Sequence, residues 1–268
     1  MKRRMHNIFK EDGKALIVAM DHGTGAPVLP DLKEPGEVIR QCVAGGADGF
    51  LVTPGMAMKF KKEIKNTAMF LRSDGGSNTL TTKGAPFRKS VSVEQAIRLG
   101  SDAMLCMDFP GGEDEIDTAE SVAKLVEGGI EWNMPICVEP LPRGFEFDKY
   151  DDLRTPENIT MVARMAVERG ADMVKVPYTG DKESFRELVE SCYVPVLMLG
   201  GDARDDVSTF LQDIKDGLDV GAAGVIVGRN IYKSQSPEEM TRALARLIHE
   251  NVEVEEAMKE LSYLWTKS

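Results

Sequence analysis

The chain has 268 residues, 42% of them hydrophobic and 29% charged, with a formal net charge of −11. That length suits one large α/β barrel or two small domains, and it buries a core without disulfide staples. The acidic balance argues against a nucleic-acid partner, whose binding rests on cationic contacts to phosphates, and no apolar run reaches the ~20 residues of a membrane span.

The segment MKRRMHNIFKEDGK (1–14) is basic but has no apolar stretch behind it, so no secretory signal is expected. Cys42, Cys106, Cys137 and Cys192 lie far apart with no CxxC pair. They read as buried thiols of a cytoplasmic protein. Eight candidate strands follow in order: ALIVAMD (15–21), GFLVT (49–53), TAMFLRS (67–73), DAMLCMD (102–108), PICVE (135–139), MVKVPY (173–178), VPVLML (194–199) and GVIVG (224–228). Several are nearly continuous apolar runs, as expected of parallel strands covered on both faces. Amphipathic stretches alternate with them: SVEQAIRLG (92–100), TAESVAKLVEGG (118–129), TPENITMVARMAVERG (155–170), KESFRELVESC (182–192) and DDVSTFLQDIKDGLDVG (205–221). Thr155-Pro156-Glu157 is a helix-start signal, and Gly100, Gly170 and Gly221 are placed as left-handed helix caps. The tail from Ser236 predicts two further helices. Eight β–α units in one chain of this size predict a single-domain (β/α)8 TIM barrel over 1–268, with a doubly wound sheet as the alternative.

In such a barrel the active site lies at the C-terminal strand ends. Those ends are polar here: Asp21, Arg72 and Asp74, Asp108, Glu139, Lys175 and Tyr178, Gly200 and Gly201, then Gly228, Arg229 and Asn230. Loops after strands 7 and 8 commonly bind phosphate, and LGGDAR (199–204) with VGRNIY (227–232) supply glycines for close approach and a cationic fork in Arg229. Lys175 is a lysine inside a buried strand. Either it is an interior ion pair with Asp21 or Asp108, or burial lowers its proton affinity and fits it to attack a carbonyl as an imine-forming nucleophile. His22, one residue after Asp21, is expected on the opposite side of an extended strand, ordering the loop. No His, Cys or carboxylate group has metal-ligand spacing, so neither a metal nor a cofactor is expected. The fifteen methionines, among them Met20, Met104, Met107 and Met198, read as core filler.

The ordered set ALIVAMDHG (15–23), ADMVKVPYTGD (171–181), VPVLMLGG (194–201) and GVIVGRNIY (224–232) resembles the archaeal-type class I fructose-bisphosphate aldolases. Their relatives include 2-amino-3,7-dideoxy-heptulosonate synthases and the autoinducer-2-phosphate thiolase. The resemblance spans about residues 8 to 250. It implies Lys175 as the Schiff-base lysine, Asp21 as the residue that positions substrate hydroxyls and helps proton transfer around the imine, and Gly200, Gly201, Gly228 and Arg229 as the phosphate cradle. One departure stands out. Those aldolases carry Tyr-Pro-Arg-Gly after strand 5, with the tyrosine as acid/base, whereas VEPLPRG (138–144) has Leu141 in its place. Glu139 is the first candidate to replace it and Asp108 the second, with Tyr178 within sequence reach. Solvation of a strand end, or ion pairing with Arg143 or Arg72, is the alternative for both carboxylates. Arg143 is a further candidate for the substrate.

The expected activity is a lyase acting on a phosphorylated ketose or its aldehyde product. A related carbon–carbon transferase, a coenzyme A-dependent thiolase, a barrel isomerase with Glu139 as base and a phospho-ligand-binding barrel without chemistry remain as alternatives. The resemblance also implies a homo-oligomer, commonly a decamer, in which Leu261, Tyr263, Leu264 and Trp265 cap either a neighbour or the chain's own barrel.

Overall fold

The computed structural model describes residues 2–25, 27–64, 66–76, 78, 80, 87–143 and 153–262. Eight parallel strands close into a barrel in chain order: β1 (Ala15–Ala19), β2 (Gly49–Val52), β3 (Ala68–Arg72), β4 (Ala103–Asp108), β5 (Ile136–Pro140), β6 (Met173–Val176), β7 (Val196–Leu199) and β8 (Gly224–Val227), with β8 pairing back onto β1. Helices follow each strand: α1 (Pro35–Ala44), α2 (Pro54–Lys59), α3 (Val93–Leu99), α4 (Glu115–Glu131), α5 (Pro156–Glu168), α6 (Lys182–Ser191), α7 (Val207–Asp219) and α8 (Pro237–Ala245). None of the described helices is long and apolar enough to cross a membrane.

Alternation along each strand separates two cores. Ile17, Leu51, Phe70, Leu105, Cys137, Met173, Leu197 and Ile226 fill the barrel interior. Leu16, Val18, Phe50, Leu71, Met104, Val138, Val174 and Met198 face the helices. Both sets are buried, which is why the strands read as unbroken apolar runs. Helix starts follow their local chemistry. The Thr155 hydroxyl accepts the Asn158 N–H at 3.3 Å, and Ser92 with Gln95 completes a capping box before α3. Gly100, Gly170 and Gly221 all adopt positive φ.

The barrel floor is closed by a repeated device. Asp48, Asp102 and Asp172 stand just before β2, β4 and β6, and their carboxylates accept the N–H groups of Leu16 (2.7 Å), Met69 (2.9 Å) and Ile136 (2.8 Å) on the preceding strands. The N-terminal segment then pairs with the same three: Lys10 with Asp48 (3.2 Å), Asn7 with Asp102 (2.8 Å) and Lys2 with Asp172 (2.7 Å). This seats Met5 and Ile8 in the interior core, where burying each side chain contributes about 1.5–3 kcal/mol.

At the C-terminus α8 runs into a π turn, Arg246–Glu250, and ends at Asn251 (φ 53°), followed by the single turn Val254–Ala257. Leu261 is fully buried against the chain's own outer core, whereas Tyr263, Leu264 and Trp265 lie outside the described residues. On the opposite face, Asp74–Gly75 and Arg88–Lys89 pair as a short antiparallel ribbon beside the barrel mouth.

Candidate active site

Strand alternation decides which polar strand ends enter the barrel. Arg72 shares the parity of Phe70, Glu139 that of Cys137, and Lys175 that of Met173, so all three point inward. Asp21 joins them from the 3-10 turn Asp21–Thr24 that ends β1. The four line one cavity of about 350 Å³ together with His22, Thr24, Phe87, Met107, Gly200, Gly201, Gly228 and Arg229. Asp21, Arg72, Glu139 and Lys175 are each 6–8% exposed.

A buried lysine must find a partner, and the Lys175 ammonium donates to Glu139 Oε2 at 2.9 Å. Glu139 thus takes the place that the sequence left between Asp21 and Asp108. Arg72 donates to Asp21 Oδ2 at 2.6 Å and to Asp74 Oδ1 at 2.5 Å, with its guanidinium 5.5 Å from the Phe87 ring centre. Burial pushes the Asp21 carboxyl up, but the Arg72 guanidinium and the Lys175 ammonium together outweigh it and hold the group below the usual carboxylate range. Cations and carboxylates therefore alternate around one small cavity.

The rim after β7 and β8 is built for close approach. Gly201 has φ +63°, and a side chain at Gly228 would fall 2.3 Å from the Ala19 carbonyl oxygen, so neither position accepts a side chain without strain. The Asn230 amide staples this rim. It donates to the Gly200 and Asp202 carbonyls at 2.9 and 3.1 Å and accepts the Arg204 N–H at 3.0 Å. Arg229 lines the cavity and pairs with the exposed Asp202. A guanidinium held by an exposed carboxylate can exchange it for an incoming anion at modest cost.

Three candidates are placed elsewhere. Asp108 has the parity of Met104 and Cys106, so it faces the helices; it is buried and ion-paired with Arg169, with Thr118 Oγ1 at 3.5 Å. Burial raises its pKa, but it does not line the cavity that holds Lys175, so this geometry does not support the acid/base role expected for it. Tyr178 follows β6 outside the barrel, its ring 5.3 Å from that of Phe185, and burial pushes its phenol up to about 12. Arg143 (φ 53°) lines a separate cleft with Pro110, Glu115 and Met161. Leu141 faces inward beside Phe109 and Phe87 and is 5% exposed, so the departure from the tyrosine motif lies in the barrel wall, two residues beyond Glu139.

His22 corrects another expectation. The strand does not continue to it; the 3-10 turn carries it round to line the same cavity as Asp21, edge-on to Tyr232 at 5.8 Å. Burial lowers its pKa, so the imidazole is neutral near pH 7. Its Nδ1 is buried without a hydrogen-bond partner among the described residues. Period-two alternation applies only while the backbone stays extended, and no sequence signal marked its end at Ala19. The roles of Phe87 and Asn230 also escaped sequence reasoning, since both depend on loop paths.

Comparison with known proteins agrees with the fold. Residues 15–234 match the family described as DeoC/LacD family aldolase. The chain is 31% identical to an uncharacterized aldolase of Saccharolobus solfataricus, over 96% of this chain and 97% of that one. It is 32% identical to the 2-amino-3,7-dideoxy-D-threo-hept-6-ulosonate synthase of Halobacterium salinarum (94% and 93%) and to the class 1 fructose-bisphosphate aldolase of Thermoproteus tenax (90% and 92%). Among solved structures, an archaeal fructose-1,6-bisphosphate aldolase with its catalytic lysine covalently bound to the carbinolamine intermediate superposes with a TM-score of 0.83. It shares 30% identity, over 92% of this chain and 98% of that one.

Proposed function

The chain belongs to the DeoC/LacD aldolase family, and the members similar to it include class I fructose-bisphosphate aldolases, which are carbon–carbon lyases; from that premise we propose that it cleaves or forms a carbon–carbon bond in a phosphorylated ketose through an imine on Lys175. The observation that carries the reading is the buried Lys175–Glu139 pair at 2.9 Å, inside a cavity whose rim is Gly200, Gly201, Gly228 and Arg229.

The substrate phosphate sits on that rim, displacing Asp202 from Arg229. This places the ketone carbon over Lys175. With its proton passed to Glu139, the amine adds to the carbonyl; Glu139 then returns that proton to the carbinolamine hydroxyl, which leaves as water and gives the protonated imine with Glu139 again a carboxylate. In cleavage the Glu139 carboxylate takes the proton of the hydroxyl on the carbon beyond the scissile bond. The bond's electron pair flows into the imine, and an aldehyde leaves. The enamine is then protonated at carbon, and hydrolysis returns the free lysine. Asp21 orients the substrate hydroxyls throughout. Glu139 supplies the acid/base function that tyrosine has in the resembling aldolases, and Leu141 next to it gives the wall an apolar surface instead of a phenol. A fructose-bisphosphate-like ketose is the substrate class. A cytoplasmic setting is supported by the four cysteines, all buried and free, and a homo-oligomer by the family resemblance.

Borohydride reduction in the presence of a panel of phosphorylated ketoses tests the reading. A covalent adduct that maps to Lys175 and is lost in Lys175→Ala is the expected result. Binding of phosphorylated ketoses without any trapped adduct overturns it.

A further inference from the structure

Arg72 is the one buried charge of the cavity that the chemistry above leaves without a task. Its surroundings form a continuous strut across three elements. The Met107 N–H on β4 donates to Asp74 Oδ2 at 2.5 Å, Asp74 Oδ1 accepts from Arg72 Nε, and Arg72 NH1 reaches Asp21 Oδ2 at 2.6 Å. Asp74 is 2% exposed, Arg72 8% and Asp21 6%. The strut begins on the main chain of a barrel strand and ends on the carboxylate beside the lysine.

Stability alone is a poor reason for such an arrangement, because a buried ion pair is often no more stabilising than apolar groups of the same size. Asp21, for its part, needs an external hold. It stands on a 3-10 turn beyond the last ladder residue of β1, and among the described residues Arg72 makes the only hydrogen bond to its carboxylate. The charged and titratable groups around that carboxylate are Arg72 from β3, Lys175 from β6, His22 on its own turn and Tyr232 after β8. Glu139 faces Arg72 and Lys175 from β5.

We propose that Arg72, braced by Asp74, is the positioning residue that fixes the Asp21 carboxylate in one orientation and in its ionised form, so that Glu139 alone of the two carboxylates exchanges protons during turnover. The inference rests on the imine reading of Lys175 for its catalytic meaning. A guanidinium is suited to the task because its planar fork binds two carboxylates at fixed angles and keeps its proton throughout the working pH range. A lysine at the same place would hold the charge without the geometry.

The test uses the full chain and the double variant Arg72→Met/Asp74→Leu, which replaces the buried Arg72–Asp74 pair by apolar groups and leaves the Asp21 carboxylate without its hydrogen-bond partner. Arg72→Lys is the conservative companion, and it carries the test by itself if the double variant does not fold. Titration of 13C-aspartate-labelled protein, with the Asp21 signal assigned by its loss in Asp21→Asn, reads the carboxylate directly. The pH profile of kcat/KM on the ketose trapped above reads its consequence. Removing an opposite charge in contact raises a carboxyl pKa by about 1–3 units. The Asp21 midpoint and the acid limb of kcat/KM are expected to rise together by that amount in the double variant, and by less in Arg72→Lys, while borohydride still traps the ketose on Lys175. An Asp21 midpoint that stays within about 0.3 unit of wild type, well inside the ordinary scatter of aspartate values, overturns the proposal. So does a midpoint that moves while the acid limb does not. If the wild-type chain traps no ketose, the imine reading fails instead, and the Asp21 titration still decides whether the strut exists.

Discussion

The two ends of this barrel use the same residue types for opposite ends. At the floor, Asp48, Asp102 and Asp172 accept main-chain N–H groups of β1, β3 and β5 and then pair with Lys10, Asn7 and Lys2. Their carboxylates are consumed by the fold. At the mouth, Asp21 and Glu139 meet side-chain cations, Arg72 and Lys175, and share a cavity. A carboxylate answered by backbone holds strands in register. A carboxylate answered by a buried cation, next to open space, can change partner when substrate arrives. The partner, more than the residue type, separates structure from chemistry.

Four measurements strain that contrast, from the largest expected effect down. Glu139→Gln keeps shape and removes the proton acceptor, so kcat falls by about 10²–10⁴-fold, and borohydride trapping of the ketose on Lys175 slows with it. A loss of stability with kcat intact would make the mouth resemble the floor. Arg229→Met comes next: losing a charge-assisted contact of about 1.5–3 kcal/mol raises KM for the phosphorylated ketose roughly 10- to 100-fold with little change in kcat, and an unphosphorylated ketose is unaffected. Asp48→Ala should do the reverse, since it strands the buried Leu16 N–H and frees Lys10. We expect about 1–3 kcal/mol less stability by urea titration with kcat unchanged.

The smallest effect is a pH trend. His249 bridges Asp48 (2.9 Å) and Asp12 (2.8 Å) at the floor, and the Asp48 hydrogen bond above all raises its pKa over 6.5. A raised histidine adds stability in full below its unfolded value. That contribution is lost as pH rises through the folded value. His22 at the mouth is lowered by burial, so charging it opposes folding below 6.5. Melting temperatures of His249→Gln should therefore decline less than wild type above that pH, and those of His22→Gln should decline less on acidification. Parallel curves for wild type and His249→Gln would remove the floor clasp from the account.

Most of the barrel was legible because each strand is an uninterrupted apolar run between turn residues, and each runs within two residues of its predicted span. The inward set was legible for the same reason: Arg72, Glu139 and Lys175 sit two residues from interior apolar neighbours. Asp108 was misplaced because a polar strand end was weighed without its parity, although Met107 as the interior neighbour carried the signal. The floor's Gly-Ala-Asp and Gly-Ser-Asp turns before β2, β4 and β6 repeat visibly in the sequence. Their meaning depends on strands brought together by closure.

By itself the sequence determined the eight-fold alternation, the buried lysine and the glycines of the rim, because each follows from local periodicity or from the size of a side chain. Tertiary structure alone decided that Lys175 pairs with Glu139 and not with Asp21 or Asp108, that Arg72 spans two aspartates, and that His22 turns into the cavity. Those choices turn on where a strand ends and on which neighbours barrel closure brings within 3 Å, distances set by contacts 36 and 51 residues apart in the chain.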